Sequence, residues 1–273
     1  MIKQFQFQIV GYTLGLLLLV LGLIELIPAF TDLYYKEANA KAFFIGSGLC
    51  LFFGGLLYSI NQDAQAHITT RQAFFLTTLS WLSMAFFGSI PFYISDLNIS
   101  FTDAFFESMS GITTTGATVL SNLDGQSHGI LLWRSFMQWI GGIGIIAFAI
   151  VFLPYLRVGG MQLFKTESSD NSEKLMPKMA TIVYSLIAVY LILTMICMLT
   201  YHFLGMSWFD AINHAFTTIA TGGYSTHDAS FAYFNNPALE VACTFFMLLG
   251  GLPFLLYLKL LIEKKFVFWQ DEQ

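Results

Sequence analysis

The sequence predicts an all-α polytopic membrane protein. Three observations predict it: a composition too apolar for water, six runs long enough to cross a bilayer, and one structural unit that occurs twice. Of 273 residues, 56% are hydrophobic and only 11% are charged, with a mean hydropathy of +0.67. Soluble domains carry about 25% charge. Fewer than half that many charges cannot cover a water-facing surface of this size. The balance excludes a cytosolic enzyme and a disordered protein. A net charge of −5 leaves no basic patch for nucleic acid.

A spanning helix needs about 20 largely apolar residues. Residues 9–30 carry one charge, Glu25, and residues 42–60 and 72–95 carry none. Residues 127–153 hold only Arg134. Residues 179–209 are uncharged and longer than one crossing needs. Residues 238–262 have Glu240 near one end and Lys259 near the other, with Pro253 expected to bend the helix. The first run does not read as a signal peptide. Its apolar region is too long, and Ile27-Pro28-Ala29-Phe30 lacks a small-x-small cleavage site. Cys50, Cys197 and Cys243 sit alone inside apolar runs and read as small buried hydrophobes.

Basic residues set the orientation. With Lys3 inside, the segment of His67 and Arg71 returns inside, as does the one with Arg157, Lys165, Lys174 and Lys178. The tail with Lys264 and Lys265 is then also inside. The external stretches 96–126 and 205–237 hold no Lys or Arg, but Asp96, Asp103, Glu107, Asp124, Asp210 and Asp228. This follows the positive-inside rule, with Lys36 and Lys41 running against it. Both termini are expected in the cytoplasm.

Two apolar segments, 101–112 and 208–220, are too short to span. Asp103 and Asp210 are expected near their N-cap positions, where a carboxylate accepts orphan backbone N–H groups. Each segment ends in Thr and Gly. Irregular backbone at membrane depth is tolerated only inside protein or beside water. The pattern fits a re-entrant helix and loop, or an amphipathic helix resting on the outer surface.

The internal repeat decides between them. DAFFESMSGITTTGATV from Asp103 aligns without a gap on DAINHAFTTIATGGYST from Asp210, at an offset of 107. The helices that follow match as well, Ile140-Gly141-Gly142-Ile143 with Leu249-Gly250-Gly251-Leu252 at an offset of 109. The chain thus holds two copies of helix, pore helix, loop and helix, and internal duplication is a common plan of transport folds. The expected division is a hairpin over 1–65, a first repeat over 66–157, a cytoplasmic loop over 158–178, a second repeat over 179–265 and a cytoplasmic tail over 266–273.

Potassium filters are rings of backbone carbonyls from Thr-Val-Gly-Tyr-Gly loops. Thr114-Thr115-Gly116-Ala117-Thr118 and Thr221-Gly222-Gly223-Tyr224-Ser225 align with that string, Gly at the centre of both. Gly suits a row of carbonyls aimed at one axis, because it tolerates the unusual φ values required. The candidate ion ligands are therefore Thr114, Thr115, Gly116, Thr221, Gly222 and Gly223. The acidic outer face would concentrate cations. The fold expected is K⁺-channel-like.

Four strings carry a family resemblance: FFESMSGITTTGATVL, LLWRSFMQWIGGIGII, LPYLRVGGMQLFKTESSD and FDAINHAFTTIATGGYSTHDASFAYF. They resemble the TrkH branch of the Trk/Ktr/HKT superfamily of potassium transporters, and the leading hairpin favours that branch over the shorter Ktr type. The resemblance implies potassium uptake across a bacterial inner membrane, K⁺ as transported ion with no cofactor, a homodimer, and a cytosolic nucleotide-binding partner of the TrkA kind. The family places four repeats around one pore. Two are present here, so the chain is expected to line half a filter. The remainder would come from a C-terminal half or a second pore subunit. The alternative is a non-transporting truncated fragment of such a transporter.

The other polar residues have plainer readings. Gly141-Gly142-Ile143-Gly144 lies within a spanning helix with no strand before it, which points to close helix packing rather than nucleotide binding. His227 and Asp228 are adjacent, which is poor geometry for joint metal coordination. His214 is expected to be hydrogen-bonded rather than catalytic. A buried charge in a membrane is costly and usually paired, so Arg134 either meets Glu107 or snorkels to the outer interface. No catalytic constellation supports a membrane-embedded enzyme.

Overall fold

A computed structural model of the chain describes residues 7–63, 70–156, 172–254 and 256–257. Among the described residues all regular secondary structure is helical. Helices α1 (Phe7–Tyr35) and α2 (Ala40–Ile60) form the leading hairpin. The first repeat follows as α3 (Thr70–Ile94), α4 (Phe101–Ile112) and α5 (His128–Leu156). The second follows as α6 (Ser172–Phe203), α7 (Trp208–Ile219) and α8 (Pro237–Gly251). Helices α1, α2, residues Arg71–Ile94 of α3 and residues Val183–Phe203 of α6 are long and apolar enough to cross a membrane. Helix α5 spans 29 residues, also more than a crossing requires.

Small residues bring the hairpin together. A Cβ on Gly15 would lie 2.6 Å from the Tyr58 backbone nitrogen, and one on Gly54 would lie 2.9 Å from that of Leu19. The Ser47 hydroxyl donates across to the Gly22 carbonyl at 2.7 Å. Backbone-to-backbone approach of this kind holds helices together where lipid removes the hydrophobic drive.

Four sequence expectations are corrected or sharpened. The N-caps of α4 and α7 are Ser100 and Ser207, and Asp103 and Asp210 stand three residues inside. Each Ser oxygen accepts the Asp backbone N–H at 3.1 Å and donates to the same residue's carboxylate at 2.7 Å. Serine caps well, and the acid in the first turn complements the helix dipole. The run 179–209 divides after Phe203, where Gly205 takes φ +110° before α7 begins. Helix α8 ends at Gly251, and Leu252 is extended at ψ 144° because the following Pro253 disfavours helical backbone before it. Helical backbone resumes at Phe254, so the bend expected at Pro253 is a break in the helix, and residues 258–262 lie outside the described residues. Helix α6 starts at Ser172, inside the segment read as a loop over 158–178. The basic stretch 157–171 and the tail 266–273 lie outside the described residues.

Two buried clusters form the interior. One gathers Phe43, Phe92, Ile112, Trp133 and Met137 from the hairpin and first repeat. The other gathers Tyr190, Tyr201, Ile219 and Phe246 within the second. Trp139 of α5 and Phe216 of α7 stack at 4.8 Å where the repeats meet. Large apolar side chains such as Val20, Leu23, Phe52 and Leu248 stay exposed on the outer helices, as a lipid-facing surface requires.

Candidate functional site

Each pore helix of 12 residues runs about 18 Å, too short to cross a bilayer, and ends in an irregular loop. The two loops share one conformation. Thr114 and Thr221 sit at φ +56° and +54°, and Gly116 and Gly223 at +78° and +81°. The hydrogen bonds recur at the offset of 107. Thr115 N–H donates to the Ser110 carbonyl at 2.9 Å, and Gly222 N–H to that of Thr217 at 2.9 Å. Thr114 and Thr221 N–H donate to the carbonyls of Gly111 and Thr218 at 2.9 and 3.0 Å. The loops therefore turn their N–H groups back onto their own helices. Among the described residues nothing donates to the carbonyl oxygens of Thr114, Thr115, Gly116, Thr221, Gly222 or Gly223.

The structure brings all six candidate residues into two adjoining loops. Gly116 lies against the Gly222 carbonyl so closely that a Cβ there would collide with the oxygen. This contact is between backbones, so neither side can give way cheaply. The paired glycines of the following helices have a matching role. A Cβ on Gly250 would lie 2.7 Å from the Ile219 carbonyl, and one on Gly141 would run into that of Ile112. The Gly-Gly pairs let α5 and α8 reach the ends of the pore helices, which is packing and not a phosphate loop.

Behind the loops lies a buried ionic staple. Arg134 Nε meets Glu107 Oε1 at 2.8 Å, with both side chains at most 1% exposed. Snorkelling is thereby excluded. Arg134 also donates to the Ser225 carbonyl at 2.9 Å and to the Thr118 hydroxyl at 3.1 Å, and its guanidinium stacks 4.2 Å above the Tyr224 ring. Glu107 accepts the Thr118 hydroxyl and the Val119 N–H at 2.9 and 3.0 Å. One arginine on α5 thus fastens the outer end of both loops. The Tyr224 hydroxyl reaches back to the first loop, 3.1 Å from the carbonyls of Glu107 and Ala117.

At the repeat-related positions, His214 stands for Glu107, Ser225 for Thr118 and Cys243 for Arg134. His214 Nε2 pairs with the Ser225 hydroxyl at 2.9 Å, and its Nδ1 with the Asp210 carbonyl at 2.8 Å. The second repeat therefore anchors its loop without an ion pair at this place. Sequence reading missed Gln138. It is fully buried on α5, and its Oε1 accepts the Tyr224 N–H at 3.1 Å. Its signal was a polar amide one helical turn after Arg134 in a run long enough to span.

Beyond the two loops, the side chains of His227 and Asp228 turn to different partners. The His227 ring bonds Asp124, and Asp228 accepts the Leu123 N–H at 3.0 Å. These contacts clasp the chain that follows the first loop to the chain that follows the second. Hydrogen bonds from the His227 ring and the Asp228 N–H hold the Asp124 carboxyl below its ordinary value. A surface cavity of about 420 Å³ beside the clasp is lined by Tyr35, Asp124, His128, Trp208, Asp210 and His227, among others.

Residues 39–272 match a family described as TrkH, cation transport protein. The chain is 38% identical over 271 residues to the Trk system potassium uptake protein TrkH of Escherichia coli K12, covering 98% of this chain and 56% of that one. It is 41% identical over 261 residues to the Trk system potassium uptake protein TrkI of Halomonas elongata, covering 95% of this chain and 53% of that one. The fold is similar to the crystal structure of the potassium transporter TrkH from Vibrio parahaemolyticus, with a TM-score of 0.87 and 37% identity. That match covers 98% of this chain and 55% of the other. The chain spans about half the length of the relatives it matches.

Proposed function

The chain belongs to the TrkH family of cation transport proteins, and from that premise we propose that it lines half of a potassium-conducting pore in a bacterial inner membrane. The observation that carries this reading is the pair of adjoining loops whose N–H groups are spent on their own helices. Their carbonyl oxygens are left for an ion. Backbone oxygens must replace the water that a potassium ion sheds. The ligands in this reading are Thr114, Thr115, Gly116, Thr221, Gly222 and Gly223. Asp124, Asp210 and Asp228 at the outer face would raise the local cation concentration.

Two loops surround only part of an ion. The other two in this reading come from further polypeptide of the same plan, a C-terminal half or a second pore subunit. The division into a hairpin (1–65), two repeats (66–157 and 179–265), a connecting loop and a cytoplasmic tail is part of the same proposal. So are cytoplasmic termini, supported by the basic residues of the inner segments. A homodimer and a TrkA-type nucleotide-binding regulator rest on the family resemblance. The test is complementation of a potassium-uptake-deficient bacterium at low external K⁺. Growth is expected when this chain is supplied with the two remaining repeats, and no growth with that combination would refute the proposal.

A further inference from the structure

Gln138 holds the second loop and stands near Gly116 of the first, and the inference drawn from it rests on the reading of those loops as filter segments. Its Oε1 holds the N–H of Tyr224, the residue directly after Gly223. Its amide packs on Gly222, where a Cβ would lie 2.7 Å from Nε2. The same Nε2 lies 3.7 Å from the place where a Gly116 side chain would begin. It is shut off from solvent and donates to nothing among the described residues. A buried donor left unmade is costly, and native proteins keep few without a use.

The backbone oxygens of the first loop have the opposite need. When an ion holds them they are satisfied. When no ion does, they require a donor, and the buried amide of Gln138 approaches this loop at Gly116. We propose that Gln138 is a positioning residue that keeps the two loops in register. Its Oε1 fixes the second loop by accepting the Tyr224 N–H, and its Nε2 donates to a first-loop backbone oxygen that is not held by an ion. Gln138 would then tie ion occupancy to loop geometry, and through it the discrimination of K⁺ from Na⁺.

The test uses a transport-competent assembly containing this chain, reconstituted in liposomes, with K⁺ and Na⁺ uptake measured separately. Gln138→Met keeps the volume and removes both polar atoms. It is expected to lower the K⁺ over Na⁺ ratio at least about fivefold, the factor that one ordinary hydrogen bond represents. It should also raise the K⁺ concentration for half-maximal uptake. Gln138→Glu supplies the control for packing. Its neutral acid offers an acceptor and a donor like the amide, whereas its ionised form offers no donor. Its ratio should approach wild type at low pH and fall as pH rises. Wild type run alongside corrects for Glu107, Arg134, Tyr224 and His214, the titratable groups that share the site. An unchanged ratio and half-saturation in Gln138→Met, or a Gln138→Glu ratio as low at acid pH as that of Gln138→Met, would overturn the role of Gln138. If Gln138→Met does not fold, Gln138→Leu takes its place with the same expected loss and the same overturning result. A wild-type assembly that carries no K⁺ would instead refute the filter reading itself.

Discussion

Arg134 and Glu107 form a buried ion pair at 2.8 Å, and the arginine of that pair also holds the Ser225 carbonyl of the neighbouring repeat. Removing one partner of such a pair leaves an uncompensated buried charge, at a cost of about 3–5 kcal/mol. Glu107→Ala is therefore expected to lower thermal stability sharply. Replacing both residues by apolar ones should cost less than the sum of the single changes. The charge-swapped double variant, Glu107→Arg with Arg134→Glu, should not rescue, because the Ser225 carbonyl would lose its donor. Melting in detergent of the singles, the apolar double and the swap checks this.

Gly116 and Gly223 should respond differently to substitution in this chain. A Cβ on Gly116 collides with the Gly222 carbonyl, whereas one on Gly223 meets nothing within 4 Å. Gly223→Ala then bears only the strain of a left-handed backbone, about 1–2 kcal/mol. Gly116→Ala adds a backbone clash and should destabilise more. Melting of the two variants side by side reads the order. In a four-repeat assembly, Gly→Ser at either position should weaken K⁺ over Na⁺ discrimination. Unchanged selectivity in both would remove these loops from the pore.

Much of this site was legible in the sequence because the repeat imposes one pattern twice. The boundaries of α4, the pairing of Gly116 with Gly223 and the packing role of Gly141 followed from spacing. What was not legible depended on choices between equivalent groups. Ser100 and Asp103 are both good caps three residues apart, and only the geometry assigns the serine to the cap. Pro253 signals an interruption, and the ψ of Leu252 makes it a local break, with helical backbone again at Phe254. Arg134 had two outlets, and the fold brought Glu107 to it. Gln138 acts across 86 residues on the Tyr224 N–H, a contact no local pattern encodes.

The proposed topology rests on the charge asymmetry. A cysteine placed at Asn122 or Asn235 should react with an impermeant thiol reagent applied to intact cells, and one at Ser169 should not. Labelling at Ser169 from outside would reverse the orientation.

The outer clasp should respond to acid. Because its hydrogen bonds depress the Asp124 carboxyl, the stability it contributes is fully present above the ordinary carboxylate pKa of about 3.9. It is lost as pH falls through the lower folded value. Asp124→Asn should therefore melt below wild type at neutral pH, and the gap should close at strongly acid pH. A gap that widens on acidification would contradict the assignment.

Potassium flux through liposomes measures the central claim most directly. This 273-residue chain should give none alone, because a filter site needs oxygens from every side of the axis and loop backbone facing lipid is costly. Co-expression with a C-terminal half carrying two further repeats should produce flux. Measurable K⁺ flux through liposomes holding only this chain would contradict the account and favour a self-assembled pore.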